Sequence, residues 1–209
     1  MNYIKLIAIL LLLSGCGIDG IKAQNGLRHE VIVETSIYTV SYNEILQQPN
    51  WLKYTSTNRV KNVDRGGMDF ILYPGVITSD KHDYYKNIYD KGHLAPAATF
   101  SDSMDNLGET FYYLNCALQN QDLNRGEWRL LEAEERKWDD VESLTVSVDL
   151  IFNEGYQVLE TGAAIPSDMV KHIYFESSGK WRCFEFVNEK PTKGWEEHEV
   201  IHFIHSPSN

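Results

Sequence analysis

Apolar and polar residues alternate in several short runs, the period of strands with one buried face. Val31 and Val33 alternate with polar neighbours, and Ile37 to Tyr42 is rich in β-forming residues. Gln48-Pro49-Asn50 reads as a turn leading into Trp51-Leu52-Lys53-Tyr54-Thr55. Ser79 to Tyr89 is polar and reads as a loop, with His82 in solvent. Phe111-Tyr112-Tyr113-Leu114 reads as a strand that Asn115 to Gln119 closes. The period then lengthens, which predicts a helix of about four turns from Asp122 or Leu123 to around Trp138. Asp122 is its candidate N-cap, and Glu127 adds negative charge near its start. Trp128 is expected to pack the helix. Strand patterns return at Leu144 to Ile151, Gln157 to Leu159, Lys171 to Glu176 and Trp181 to Val187. No internal repeat or low-complexity tract interrupts them.

The first residues follow a different pattern. Leu6 to Leu13 is an apolar run behind Lys5, too short for a confident membrane span and suited to an export signal. It ends in Leu13-Ser14-Gly15-Cys16, which resembles the bacterial lipobox, whose cysteine is acylated and becomes the new N-terminus. An ordinary secretory signal with an incidental cysteine is the other reading. The expected organisation is a signal peptide over 1–15, a lipidated tether over 16–28 and one domain over 29–209. The expected location is the cell envelope, exported and lipid-anchored.

Composition narrows the fold and the partners. At 209 residues with 43% hydrophobic content, the chain can bury one substantial core. Twelve Tyr, eight Phe and five Trp favour strands. The net charge is −11, and loss of Lys5 with the signal makes it one unit more negative. A protein that binds polyanions tightly normally shows a basic footprint. The acidic balance therefore argues against tight nucleic-acid binding, but not against hydrolysis, where local cations meet one phosphate at a time. With Cys16 set aside, Cys116 and Cys183 remain, either as a disulfide or as two buried thiols. No Cys-x-x-Cys pair points to structural zinc. His198, His202 and His205 cluster near the C-terminus without a recognisable ligand pattern.

The candidate chemistry gathers at Tyr89-Asp90-Lys91-Gly92-His93-Leu94-Ala95-Pro96-Ala97-Ala98. Neutral imidazole accepts a proton at working pH, Lys91 suits a phosphate oxygen, and Gly92 permits a tight turn or a close approach. Downstream lie Leu114-Asn115-Cys116-Ala117-Leu118-Gln119 and Leu123-Asn124-Arg125-Gly126-Glu127-Trp128-Arg129-Leu130-Leu131-Glu132. In this order the three blocks strongly resemble the DNA/RNA non-specific endonucleases. That family carries Asp-Arg-Gly-His with a Pro-Ala pair, then Asn-x-x-x-Gln, then Asn-x-Gly-x-Trp with Leu-Glu close behind. The resemblance covers roughly residues 36 to 188.

The resemblance implies an α+β fold, a mostly antiparallel sheet carrying a ββα-metal finger, and metal-dependent cleavage of DNA, RNA or both with low sequence specificity. It implies His93 as general base and Asn124 as the direct protein ligand of a Mg²⁺ ion, with Mn²⁺ or another divalent cation as substitutes. On a regular helix Glu132 stands about 12 Å from Asn124 along the axis and about 80° around it. The resemblance implies that the two meet through a water on the cation, whereas a plain reading of Glu132 is a salt bridge to Arg129, Arg136 or Lys137. Arg65 is the residue carried over for stabilising phosphorane charge, with Arg59 as its competitor. Asn115 is expected to orient the histidine or bind phosphate, and Gln119 to contact substrate. Asp90 is expected to fix the turn through backbone amides.

Two departures stand out. Lys91 replaces the family's usual Arg and loses its bidentate fork, and Leu118 stands where Pro is common. The acidic balance also motivates a second reading, a non-catalytic envelope lipoprotein that keeps the fold as a binding module. An antibacterial toxin is a third, with no partner domain visible to support it.

Overall fold

The computed structural model describes residues 26–200. The expectations for residues 1–25, including Cys16, and for His202 and His205 lie outside them.

Alternation builds the main sheet. Its strands are β1 (Val31–Glu34), β2 (Tyr38–Asn43), β3 (Gln48–Ser56), β6 (Leu144–Ile151), β7 (Asp168–Phe175) and β8 (Lys180–Val187), antiparallel in the order β1-β2-β3-β6-β7-β8. In β6 the buried residues Leu144, Val146, Val148 and Leu150 alternate with more exposed ones, so one face turns inward. Met169 and Ile173 of β7 and Phe184 and Phe186 of β8 extend that face. The segment between β3 and β6 carries a second unit. A two-stranded ribbon pairs β4 (Tyr89–His93) with β5 (Cys116–Asn120), with the short helix α1 (Met104–Glu109) between the strands and α2 (Gln121–Leu123) and α3 (Arg129–Trp138) after them. The architecture is α+β with a mostly antiparallel sheet.

The unit is fastened to the main sheet by amide side chains. Leu118 N–H donates to Gln48 Oε1 at 3.0 Å. Asn188 accepts from Asn120 N–H at 2.8 Å and donates to the carbonyls of Leu118 and Pro166, each at 2.9 Å. These bonds satisfy the free edge of β5, whose backbone groups would otherwise be buried without partners.

Leu131 and Trp128 pack α3 and the turn before it onto the sheet, with the Trp128 ring 5.6 Å from Phe186. A polar cluster lies within this contact. Lys171 Nζ reaches Glu135 Oε1 at 2.6 Å, Tyr54 OH donates to Glu135 Oε2 at 2.7 Å, and the ammonium stands 4.3 Å from the Trp128 ring centre. Lys171 and Glu135 are both essentially unexposed.

Several local expectations are corrected. Gln48-Pro49-Asn50 opens β3, and the hairpin turns earlier, with Gln47 at φ 53°. Tyr113–Asn115 forms a 3₁₀ turn; Tyr112 makes only an isolated bridge to Ile71, and the strand begins at Cys116. Residues 157–159 contribute one isolated bridge, Val158 to Ala164. The helix cap is Asn120, whose side chain accepts from the N–H groups of Asp122 and Leu123. The expected single helix is broken by a π turn at Asn124–Trp128, where Gly126 takes φ −101° and ψ −112°. Cys116 and Cys183 are both buried free thiols. His198 is a core ring, stacked 4.4 Å from Phe186 with Nδ1 3.0 Å from the Glu185 carbonyl oxygen.

Candidate active site

The ribbon and the π turn meet at a cavity of about 390 Å³, lined by Arg65, Asp90, Lys91, His93, Asn124 and an aromatic wall that includes Phe70 and Phe111. Among the described residues, the side chains that the sequence separates by up to 59 positions are brought together here.

His93 ends β4. Its ring lies 4.6 Å from Phe70 and 5.1 Å, edge-on, from Phe111, and Nε2 has no hydrogen-bond partner. Burial and the nearby Arg65 charge depress its pKa to about 3, so the imidazole is neutral across the physiological range. The backbone beyond it is clamped by Asn115. That side chain accepts from Ala95 N–H at 2.7 Å and donates to the carbonyls of Ala95 and Thr110, each at 2.9 Å. Fully buried, Asn115 therefore positions the segment after His93 and does not line the cavity.

Gly92 is needed for close packing within the ribbon, where a tight turn or a close approach to a ligand was expected. A Cβ there would stand 2.3 Å from Gln119 Oε1 and 2.6 Å from Gln119 Cβ. Gln119 is buried over Gly92, with both amide atoms unpartnered, and it too stays outside the cavity lining.

Asp90 engages side chains, not the backbone amides expected of it. Its Oδ2 accepts from Asn124 Nδ2 at 2.9 Å and from Arg125 Nε at 2.8 Å, while Oδ1 accepts from Arg125 Nη2 at 2.7 Å. Burial opposes the charge, but these hydrogen bonds outweigh it and hold the carboxyl below its ordinary range. Because Asn124 spends its amide nitrogen on Asp90, its amide oxygen is the atom left to accept a partner in the cavity. That is a hard oxygen donor, suited to Mg²⁺ or a similar cation. Among the described residues no three His, Cys, Asp or Glu side chains gather into a metal cage. The donor set therefore fits an ion that keeps most of its water.

The cations are arranged unequally. Lys91 Nζ pairs with Asp69 Oδ1 at 2.6 Å and stands 5.9 Å from the Phe70 ring and 5.8 Å from Tyr113. Arg65 lies 5.8 Å from the Phe111 ring and lines the cavity. Arg59 is elsewhere, paired with Asp102 at 2.9 Å. Glu132 does not line the cavity either. It sits one turn before Glu135, where burial raises its pKa to about 7 although Lys171 pulls the other way. Asp69, Phe70 and Phe111 were not singled out from the sequence. The only local signal was Asp69-Phe70 close behind Arg65, and nothing in it announced a partner 22 positions away.

The family model described as DNA/RNA non-specific endonuclease matches residues 21–203. The mitochondrial nuclease EXOG of Mus musculus is 31% identical over 160 residues, covering 67% of this chain and 44% of its own. The mitochondrial nuclease of Saccharomyces cerevisiae is 33% identical over 98 residues, covering 44% of this chain and 30% of its own. The chain spans less than half the length of the zebrafish, mouse and human EXOG nucleases it matches. A chain from a crystal structure of the EndoG/EndoGI complex superposes with a TM-score of 0.72 at 26% identity, covering 81% of this chain and 80% of that one.

Proposed function

The chain belongs to the DNA/RNA non-specific endonuclease family, and from that premise we propose that it is a divalent-cation-dependent endonuclease cutting DNA, RNA or both. One observation carries the reading. A neutral imidazole with an unpartnered Nε2 shares a cavity with Lys91, Arg65 and the amide oxygen of Asn124.

His93 takes a proton from the attacking water, and its depressed pKa keeps it in the accepting form at neutral pH. Arg65, always charged, faces the charge that grows on the phosphorane oxygens. Lys91 adds a second positive charge once phosphate displaces Asp69. Asn124 would hold the cation, which supplies charge neutralisation at the phosphate and the leaving 3′ oxygen. Asp90 keeps the Asn124 oxygen facing that position. Asn115 holds the backbone that carries His93. Glu132, one step removed, is assigned to orienting water near Asn124. Low sequence specificity is part of the same proposal, since the family model is that of non-specific endonucleases and phosphate contacts carry no sequence information.

The localisation is part of the same proposal. Acylation of Cys16 after an export signal over 1–15 would hold the enzyme at the cell envelope. Labelled fatty acid fed to a bacterial expression host should mark the wild type and not Cys16→Ala. Equal labelling would remove the lipoprotein assignment.

Purified residues 17–209 should nick supercoiled plasmid and degrade structured RNA at low salt, and a chelator should stop both. His93→Ala should slow cleavage by about 10² to 10⁴, the usual contribution of a general base. If the wild type cuts nothing with several divalent ions, the reading as a non-catalytic binding module replaces this one.

A further inference from the structure

A second cavity, of about 240 Å³, lies where the C-terminal half of α3 faces the segment that follows His93. It has room for several waters at about 30 Å³ each, or for one phosphate group. Its lining carries four cations, Arg59, Lys61, Arg136 and Lys137, against two acids, Asp139 and Asp140. Asp139 accepts from the Ser56 hydroxyl, and Lys137 is paired with Glu134. Arg59 is paired with Asp102, which leaves Lys61 and Arg136 as the lining cations outside an ion pair among the described residues.

Three polar atoms on this lining are buried without partners: Arg59 Nε, Arg136 Nη1 and Thr99 Oγ1. Thr99 is only 4% exposed. Burying a donor without a partner is unfavourable, and a bound acceptor relieves that cost. Three such groups, two of them cationic, around one polar cavity describe a receptor for an anion with several oxygens.

The cavity is joined through the chain to His93 and, along α3, to Glu132. Thr99 follows His93 by six residues, which limits their separation to about 20 Å even for fully extended chain. Arg136 follows Glu132 by one turn of α3, a rise of about 6 Å. A duplex strand presents a phosphate about every 3.4 Å along its axis. The two cavities therefore stand at most about six phosphates apart.

We propose that this cavity is a second phosphate subsite, which holds a non-scissile phosphodiester of the strand whose backbone lies in the His93 cavity. The assignment rests on the nuclease reading for its substrate. Lys61 and Arg136 supply the charge, and the Thr99 hydroxyl supplies a hydrogen bond. Bound there, a strand several nucleotides long is anchored at two points, and a substrate with one phosphodiester is anchored at one.

The test compares a p-nitrophenyl phosphodiester of a single nucleotide with a 12-nucleotide single strand. Lys61 is exposed, so Lys61→Ala should fold, and Thr99→Val keeps the side-chain shape. Each should raise KM for the 12-mer several-fold and leave kcat/KM for the short ester unchanged. Equal losses on both substrates, or none on either, would overturn the subsite. A second arm measures fluorescence anisotropy of a labelled 12-mer on the His93→Ala background, which does not depend on turnover. There Lys61→Ala should weaken binding and lower the salt slope by about 0.7–0.9, the loss of one phosphate contact. If the wild type cuts neither substrate, the nuclease reading fails, and the anisotropy arm still decides whether the subsite exists. An unchanged slope overturns it.

Discussion

Asn124 donates its amide nitrogen to Asp90 Oδ2 across 2.9 Å, joining residues 34 positions apart at the centre of the cavity. The bond decides which end of the amide is free. Without an acceptor at Asp90, the side chain can present nitrogen where oxygen is needed. Asp90→Ala should therefore raise the Mg²⁺ concentration for half-maximal activity by about 10- to 100-fold, the usual effect of losing a partner that orients a metal ligand. Excess Mg²⁺ should recover much of the rate. A magnesium titration of nicking activity checks this, and an unchanged midpoint would remove Asp90 from that role.

Glu132 has a raised pKa, so its neutral form is favoured in the fold. The stability it contributes is fully present below pH 4.5 and is lost as pH rises through about 7. Without added cation, Glu132→Gln should raise Tm at pH 8 relative to wild type and change it less at pH 4.5. A difference near 1 kcal/mol corresponds to about 2–4 °C in a domain of this size. Thermal melts at the two pH values test the sign.

His93 titrates in the opposite sense. Its folded pKa near 3 lies below the ordinary 6.5, so the neutral ring contributes stability above pH 6.5 that is lost as pH falls toward 3. His93→Gln should flatten the acid side of the stability profile between those values. Urea midpoints across that range would show it, and parallel curves for the two proteins would contradict it.

Lys171 and Glu135 form an ion pair with essentially no exposure. Lys171→Met alone leaves a buried carboxylate and should destabilise by about 3–5 kcal/mol. Lys171→Met combined with Glu135→Leu should recover much of that loss, although Tyr54 OH then lacks its acceptor. A double-mutant cycle in urea measures the coupling.

Lys91 is paired with Asp69, so under the proposed function Asp69 competes with phosphate for it. Asp69→Asn should raise kcat/KM a few-fold at low salt, with the gain shrinking as salt screens the phosphate. A gain that persists at high ionic strength would point to another cause.

Alternation in β6, β7 and β8 is legible in the chain because a strand's faces follow from its own residues. The order of the motif blocks is legible too, since His93, Asn115 and Asn124 stand in three short motifs. Local pattern could not separate a Pro-containing strand start at Gln48 from a turn. That choice depends on pairing with β2 and on a buried Gln48 that reaches Leu118. Likewise Asn115 and Gln119 look polar enough for a site, and only packing shows them clamping backbone and covering Gly92. Partnerships across long sequence separations, Asp90 with Asn124, Lys91 with Asp69 and Lys171 with Glu135, belong to the tertiary structure alone. A side chain's charge and shape come with its residue type, but its partner and its exposure to water are settled when the ribbon, α3 and the sheet close on one another.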